Sequence, residues 1–519
     1  MLAAFQALIY PRITDPDAFY HVGHAQLYRS EGISTGDFPW TAFSVIGEVG
    51  ADIWYGLHLL VMPFAGVEGD AAVAGIRIAA LALGILGVGL VSILAVSHRW
   101  VAAPVWPALF LLAVPNVLFR YLSIRPEALS IPLALLLLSG WVRGRHGLIA
   151  ACAFAMAWVH MSMFWLILGV GIAGSIGRRA ARNWNAGAEL RSGLALLAGL
   201  AAGVLARPNS FGAVEIAWVQ IAQLLFEKSG GVPLTFSDEL APIDIGSGLA
   251  MAWPALLIWA AALIWAIREW REDAPEPTLE GTTGNRALLV GSTILAIGFL
   301  VLTFAVARRS LVYWTAFAIP SVALGATALA RMPGRRRLVE RAVLLATVPL
   351  FAWGLQRNEL NARFIALAPD RLAEEAQWLE SASEPDDLVF NTHWDAFGPL
   401  FVRNRTNRYL GGMDPIFQFA ADERRYWLFH HISTGVATAV TCPAPDCTPD
   451  QVVDVWEAIR GEYGARWVLT ERARDERLIE YLDTDGRFRR SFEGRDGVVF
   501  EVAVAVAPPA QAVDPAGGR

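Results

Sequence analysis

Long apolar runs recur through the first two thirds of the chain, at 71–97, 100–119, 126–142, 189–206, 247–267, 286–306, 311–331 and 339–355. A helix needs about 20 apolar residues to cross a hydrocarbon core about 30 Å thick, so each run is read as a span. The stretch 147–177 is too long for one upright helix and is interrupted by WVHMSM, which makes it a tight pair. The count comes to about ten spans. A composition of 55% hydrophobic and 17% charged residues, with a mean hydropathy of +0.42, exceeds what a soluble core requires. The formal charge of −6 offers no basic face, which excludes nucleic acid as a partner.

Two segments fall short of a span. Residues 1–10 reach only about half way across, so either the true start lies upstream or the first helix is incomplete; the segment is too short, and lacks the basic n-region, for a signal peptide. The segment 54–64 carries His58 and Pro63 and is expected to lie at the interface.

Basic residues set the orientation, because short cytoplasmic loops are enriched in Lys and Arg. The clusters HRW (98–100), RGRH (143–146), RRAAR (178–182), REWRE (268–272) and RMPGRRR (331–337) fall at every second loop. The alternate loops then face outward, together with everything after residue 355. From about residue 360 the pattern changes to β-rich segments such as DDLVF, ARWVLT and GVVFEV between amphipathic stretches. The expectation is a polytopic α-helical membrane protein with about ten or eleven transmembrane helices in the cytoplasmic (inner) membrane. Residues 1–355 form its membrane domain, with external loops at 12–70 and 207–246. A small C-terminal extracytoplasmic α/β domain covers 356–505, and APPAQAVDPAGGR within 506–519 has the bias of a disordered tail. Cys442 and Cys447 bracket PAPD and are spaced to close a short disulfide loop, whereas Cys152 reads as a buried apolar residue.

The chemistry is concentrated in ITDPDAFYHVGHAQLYRSEGI, beside the first apolar segment. Asp15 suits a helix N-cap, Pro16 the first helical position and Gly32 the stop. Capping does not explain the helix face, on which Asp17, His21 and His24 stand at i, i+4 and i+7. A carboxylate with two imidazoles on one stripe can share a proton or hold a divalent cation such as Mg²⁺ or Mn²⁺. On the outward side Arg120 and Arg125 flank YLSI, Glu127 follows, and Arg308 and Arg309 lie in ARRS, against the positive-inside tendency. Arg125, Arg308 and Arg309 are therefore candidate phosphate ligands. His160, in AWVHMSM, is a candidate for the cavity wall. The long loop 207–246 has a Gly-Gly-Val-Pro hinge and reads as a lid, with Glu227 its candidate acceptor-side residue; Asp238, Glu239 and Asp244 read as a solvated acidic face.

DPDAFYH, EGI and FPW, placed just after a first apolar helix, resemble the first external loop of the type C (GT-C) membrane glycosyltransferases. A second resemblance lies in EEAQWLESASEPDDLVFNTHWDAFG, similar to the start of the soluble domain of oligosaccharyltransferase catalytic subunits. There a Trp-Trp-Asp-Tyr-Gly signature follows a comparable helix and strand. Here His393 and Ala396 replace its first tryptophan and its tyrosine, which argues against sequon recognition. The resemblance implies a polyprenyl-phosphate-linked sugar donor, a lipid, glycan or protein acceptor, Asp15 and Asp17 as catalytic carboxylates, and His393, Trp394 and Asp395 near the acceptor. En bloc glycan transfer to protein is the alternative within the same family. A transporter calls for inverted repeats and mid-membrane charges, and this chain keeps nearly all its charges at span ends. A non-catalytic scaffold needs no Asp-Pro-Asp stripe.

Overall fold

The computed structural model describes residues 1–66, 69–232, 234, 238–271, 279–435 and 439–503; the tail expected at 506–519 lies outside them. The chain divides into two compact units, residues 1–37, 50–226 and 235–369, and residues 38–49, 227–234 and 370–519.

The first unit is helical. Among the described residues, seven helices are long and apolar enough to cross a membrane: Ala71–Ser97, Met161–Ala180, Ala186–Leu205, Ile245–Trp265, Gly284–Ala305, Ser310–Ala330 and Arg336–Ile365. Three shorter apolar helices, Tyr55–Phe64, Glu127–Val142 and His146–Val159, accompany them. His160 breaks the backbone between His146–Val159 and the following helix, giving the tight pair expected around WVHMSM. Small residues let neighbours approach: a Cβ on Gly199 or Gly203 would run into the carbonyl oxygens of Ala150 or Phe154, so Ala186–Leu205 packs closely on His146–Val159.

The run 100–119 is not a single span. It splits into Val105–Leu112 and Val117–Arg120, because Pro115 supplies no N–H and Asn116 takes a left-handed φ of 76°. The last long helix, Arg336–Ile365, runs ten residues beyond the 355 expected from hydropathy.

The bundle has two chemically distinct ends. The basic clusters close one end, where His98 bridges Asn285 and Ser139 at 2.8 Å each and Arg143 donates to the Ser97 carbonyl at 2.9 Å. At the other, Ile13 pairs with Leu367 and the Thr14 hydroxyl donates to the Leu122 carbonyl at 2.9 Å. This second end holds Asp15, Arg125 and Arg309.

The second unit is a six-stranded mixed sheet with helices. Its strand order is Thr41–Ala42, Arg408–Leu410, Leu388–Asn391, Trp467–Glu471, Gly497–Val502 and Phe488–Glu493. The first four run parallel and the last two pairings are antiparallel. Leu388, Phe390, Val468 and Phe500 are buried in its core. Residues 38–49, expected in an external loop, contribute the edge strand Thr41–Ala42. Cys442 and Cys447 form a disulfide.

Candidate active site

The helix Asp17–Glu31 has Pro16 at its N-cap, one position later than expected, and the Asp15 carboxylate just before it accepts the backbone N–H of Asp17 at 3.0 Å. Gly32 ends that helix at a φ of 102°, which only glycine adopts easily.

Capping uses one oxygen only in part. Both oxygens of Asp15, which is 4% exposed, receive the guanidinium of Arg125: Nε binds Oδ2, and Nη2 lies 3.1 Å from Oδ1. The same Nη2 stands 3.0 Å from Asp17 Oδ2, and Nη1 stands 3.0 Å from Glu239 Oε1. Arg120 pairs with the other Glu239 oxygen, and Arg309 Nη1 lies 3.9 Å from Oε1. Three guanidiniums thus share three carboxylates. Burial works against the Arg125 charge, but Asp15 and Asp17 outweigh it and hold the group above the ordinary arginine range. Burial, with Arg125 and Arg309 nearby, pulls Arg120 down to about 10, which still leaves it charged at neutral pH.

Glu127 begins the next helix and is 7% exposed. His160 is buried and its Nδ1 lies 2.9 Å from Ser130 Oγ, one turn along from Glu127. Arg308 is half-buried and its backbone N–H donates to the Ala241 carbonyl at 2.8 Å; it is Arg309, not Arg308, that reaches the carboxylates.

His21 and His24 belong to a second cluster. His58 Nδ1 meets Asp52 Oδ2 at 2.6 Å, and His58 Nε2 meets His21 Nδ1 at 2.8 Å. The Tyr28 hydroxyl donates to Asp52 Oδ2 at 2.9 Å and the Trp54 N–H to Oδ1 at 2.8 Å. His24 stacks on His58 with centroids 4.3 Å apart, and its Nδ1 lies 3.1 Å from the Tyr20 hydroxyl. Asp52 thus accepts from His58 Nδ1, and one hydrogen lies between His58 Nε2 and His21 Nδ1, its owner set by the tautomer. Burial first, then His58, holds His21 well below the ordinary histidine value. Burial pushes Asp52 up, but His58, His24 and the Trp54 N–H outweigh it and keep the carboxylate ionised. The carboxylate that the histidines orient is thus Asp52.

The charged places also bear on a cation. Asp15, Asp17 and Glu239 are matched by arginines and do not fit a Mg²⁺ site. His24, Asp52 and His58 are buried with ligand atoms within 4.8 Å of one another, a donor set that suits a transition metal better than Mg²⁺. Asp52 nonetheless already accepts from Tyr28, His58 and Trp54, so these residues fit a hydrogen-bonded network first.

The remaining candidates lie in the second unit. Asp395 is bound by Arg474 through two contacts of 2.8 and 2.7 Å and by Arg371 at 3.3 Å. Burial raises its pKa, yet Arg371 and Arg474 hold it below the usual carboxylate range. His393 Nε2 lies 3.0 Å from Asp475, and Trp394 is half-buried. Glu227, half-buried on the helix Leu224–Ser229, belongs to the same unit.

Sequence reasoning does not single out Asp52 and Glu239 for the site, and it weighs Arg120 beside Arg125 without placing it among the phosphate ligands. Asp52 and His58 lie six apart across a turn, a spacing with no helical or strand period. Glu239 is a lone acid in an acidic loop.

A helical bundle with an ionic cluster behind its first helix, followed by a mixed α/β unit, is a fold this chain shares with solved structures. Among solved structures it resembles ArnT from Cupriavidus metallidurans bound to undecaprenyl phosphate, with 15% identity, a TM-score of 0.53, and coverage of 98% of this chain and 97% of that one. The apo state of the same ArnT matches with 13% identity, a TM-score of 0.56 and 96% coverage of both chains. An Archaeoglobus fulgidus oligosaccharyltransferase tethered to an acceptor peptide containing the NVT sequon matches with 11% identity and a TM-score of 0.52, over 94% of this chain and 70% of that one. At these identities the likeness establishes the fold. No family model and no curated protein matches the sequence.

Proposed function

We propose that this protein is an integral-membrane glycosyltransferase that moves a sugar from a polyprenyl-phosphate-linked donor to an acceptor hydroxyl on the extracytoplasmic side of the inner membrane. The observation that carries the reading is the convergence of Asp15, Asp17, Arg125 and Arg309 at the bundle end opposite the basic clusters.

The roles follow from exposure. Asp15 is buried and clamped by Arg125, so it positions that guanidinium. Asp17 is more open, with a side chain 21% exposed and 3.0 Å from Arg125, and it is the general base. The acceptor oxygen bonds to the anomeric carbon as its proton passes to Asp17. The bond from that carbon to the phosphate oxygen breaks, and its electron pair leaves on the polyprenyl phosphate, beside Arg125 and Arg309. Guanidiniums supply the positive charge. A requirement for Mg²⁺ or Mn²⁺ is tested by chelation and add-back.

En bloc glycan transfer to protein is the second reading, favoured by the likeness to the archaeal oligosaccharyltransferase. The arginines that hold Asp395 leave it poorly placed for an acceptor hydroxyl.

The test is sugar transfer by purified Asp17→Asn protein, with a lipid extract of cells lacking the protein supplying the accumulated donor. Loss of about 10²- to 10⁴-fold in rate is expected, at unchanged thermal stability. Full activity removes Asp17 from the chemistry, and a folded protein that transfers no sugar from any polyprenyl-phosphate donor returns the chain to a transporter or scaffold role.

A further inference from the structure

Glu239 lies on the short turn Asp238–Leu240, in a loop whose composition suggests a solvated acidic face. Its side chain is instead only 18% exposed, and it is where three arginines meet. Arg120 pairs with Oε2, while Arg125 and Arg309 approach Oε1 at 3.0 and 3.9 Å. The backbone fixes the turn in register. The Arg309 N–H donates to the Glu239 carbonyl at 3.1 Å, the Arg308 N–H to the Ala241 carbonyl at 2.8 Å, and the Ile243 N–H to the Thr303 carbonyl at 3.3 Å. The far edge of Arg125 is taken by Asp15 and Asp17. The face that Arg125 and Arg309 would turn to a phosphate is therefore filled by a carboxylate of the chain itself.

Charge makes this occupancy consequential. Three arginines are paired with three carboxylates, and Glu127 adds a fourth negative charge that acts on all three, so a phosphate entering beside Glu239 would leave an excess anion in a partly desolvated site. Arginine forks donate to carboxylate and phosphate oxygens alike, and an exchange of one for the other leaves the local charge unchanged. We propose that Glu239 is an internal competitor for the phosphate of the lipid carrier, leaving the arginines when the phosphate binds and returning as the product departs.

This rests on the function proposed above and adds a direction to it. A sugar-linked carrier is a phosphodiester with one negative charge, so its exchange with Glu239 is charge-neutral. The product is a phosphomonoester with a charge of about −1.5 to −2, which the arginines hold more tightly. The returning Glu239 offsets that extra grip and aids release.

The experiment measures binding of undecaprenyl phosphate, and separately of inorganic phosphate, to full-length protein in lipid nanodiscs. Glu239→Gln keeps the size and removes the charge. It should tighten both ligands by about tenfold, the order expected for one charge-assisted competitor. Glu239→Asp, a second variant should Glu239→Gln unfold, should give a smaller gain of the same sign. Arg309→Gln should weaken both. Unchanged or weaker binding in folded Glu239 variants, with Arg309→Gln still weakening it, overturns the competitor and leaves the phosphate site standing. A gain confined to the lipid ligand also overturns it, because the effect then comes through the prenyl chain. Indifference of binding to both Glu239 and Arg309 overturns the phosphate site and the competitor together.

Discussion

The Arg125 cluster and the His58 network hang on the same helix, Asp17–Glu31, yet they solve the problem of a buried carboxylate in opposite ways. Asp15 is neutralised by a full countercharge, in a set of ion pairs whose members are 5–31% exposed and can exchange partners. Asp52 is stabilised by directed donors from Tyr28, Trp54 and His58, in a network whose members are at most 8% exposed. Ion pairs at a partly wet edge contribute little to stability but can re-form on a ligand, whereas a satisfied buried network stabilises and resists change. Under the proposed function the first cluster serves binding and chemistry, and the second holds the first loop against the helix that carries Asp17.

The sharpest attempt to break this contrast is Arg125→Lys. The charge stays, but one ammonium cannot reach Asp15, Asp17 and Glu239 in a fixed fork. Sugar transfer should fall by about 10²- to 10³-fold, the scale for losing one oriented transition-state donor, with little change in thermal midpoint. A lysine enzyme within tenfold of wild type would mean that charge alone, and not orientation, matters.

Asp52→Ala should do the reverse. It strands the Tyr28 hydroxyl, the His58 ring N–H and the Trp54 backbone N–H, and each stranded buried donor costs about 1–3 kcal/mol. The thermal midpoint should drop clearly, while transfer per folded molecule stays within about tenfold of wild type. A stable protein with abolished transfer would move the network into the catalytic machinery.

Acid separates the two clusters more gently. His21 is held well below the ordinary histidine value by burial and by His58, with Arg125 and His24 pushing the same way and Asp52 partly opposing them. Its folded pKa is depressed, so below about pH 6.5 the unfolded chain takes a proton that the folded chain refuses. Stability is therefore full above about pH 6.5 and is lost as pH falls towards the folded value. Thermal midpoints of wild type and His21→Gln between pH 8 and 5 check this: wild type should lose stability on acidification and the variant should lose less. Parallel curves would show that His21 is not the group responsible.

The helix itself was legible, since Asp15, Pro16 and Gly32 mark its ends by local chemistry. The stripe of Asp17, His21 and His24 was legible as a shared face, because helical period fixes it. Which partner each residue meets was not. Arg125 and Glu239 lie 108 and 222 positions beyond Asp17, and Asp52 returns through an irregular turn, so no period in the sequence records these meetings. The strand Thr41–Ala42 was hidden for the same reason, as its partner is Arg408–Leu410. The run 100–119 misled because hydropathy averages over Pro115 and Asn116, while backbone geometry does not.

The finest discrimination comes from Tyr28→Phe. The ring stays packed against His24 and Tyr55, with centroids 4.8 and 5.5 Å away, so the substitution removes one hydroxyl and little else. Asp52 keeps His58 and the Trp54 N–H, and its ionised form loses one of three donors. A hydrogen bond to a charged group contributes about 1.5–3 kcal/mol, and the two remaining donors should compensate in part, so a loss of about 1 kcal/mol is expected. Thermal denaturation in detergent reads this directly, and sugar transfer should stay within about twofold of wild type. If Tyr28→Phe instead slowed transfer tenfold at an unchanged midpoint, the network would act on the reaction through His21, and the division of labour between the two clusters would fail.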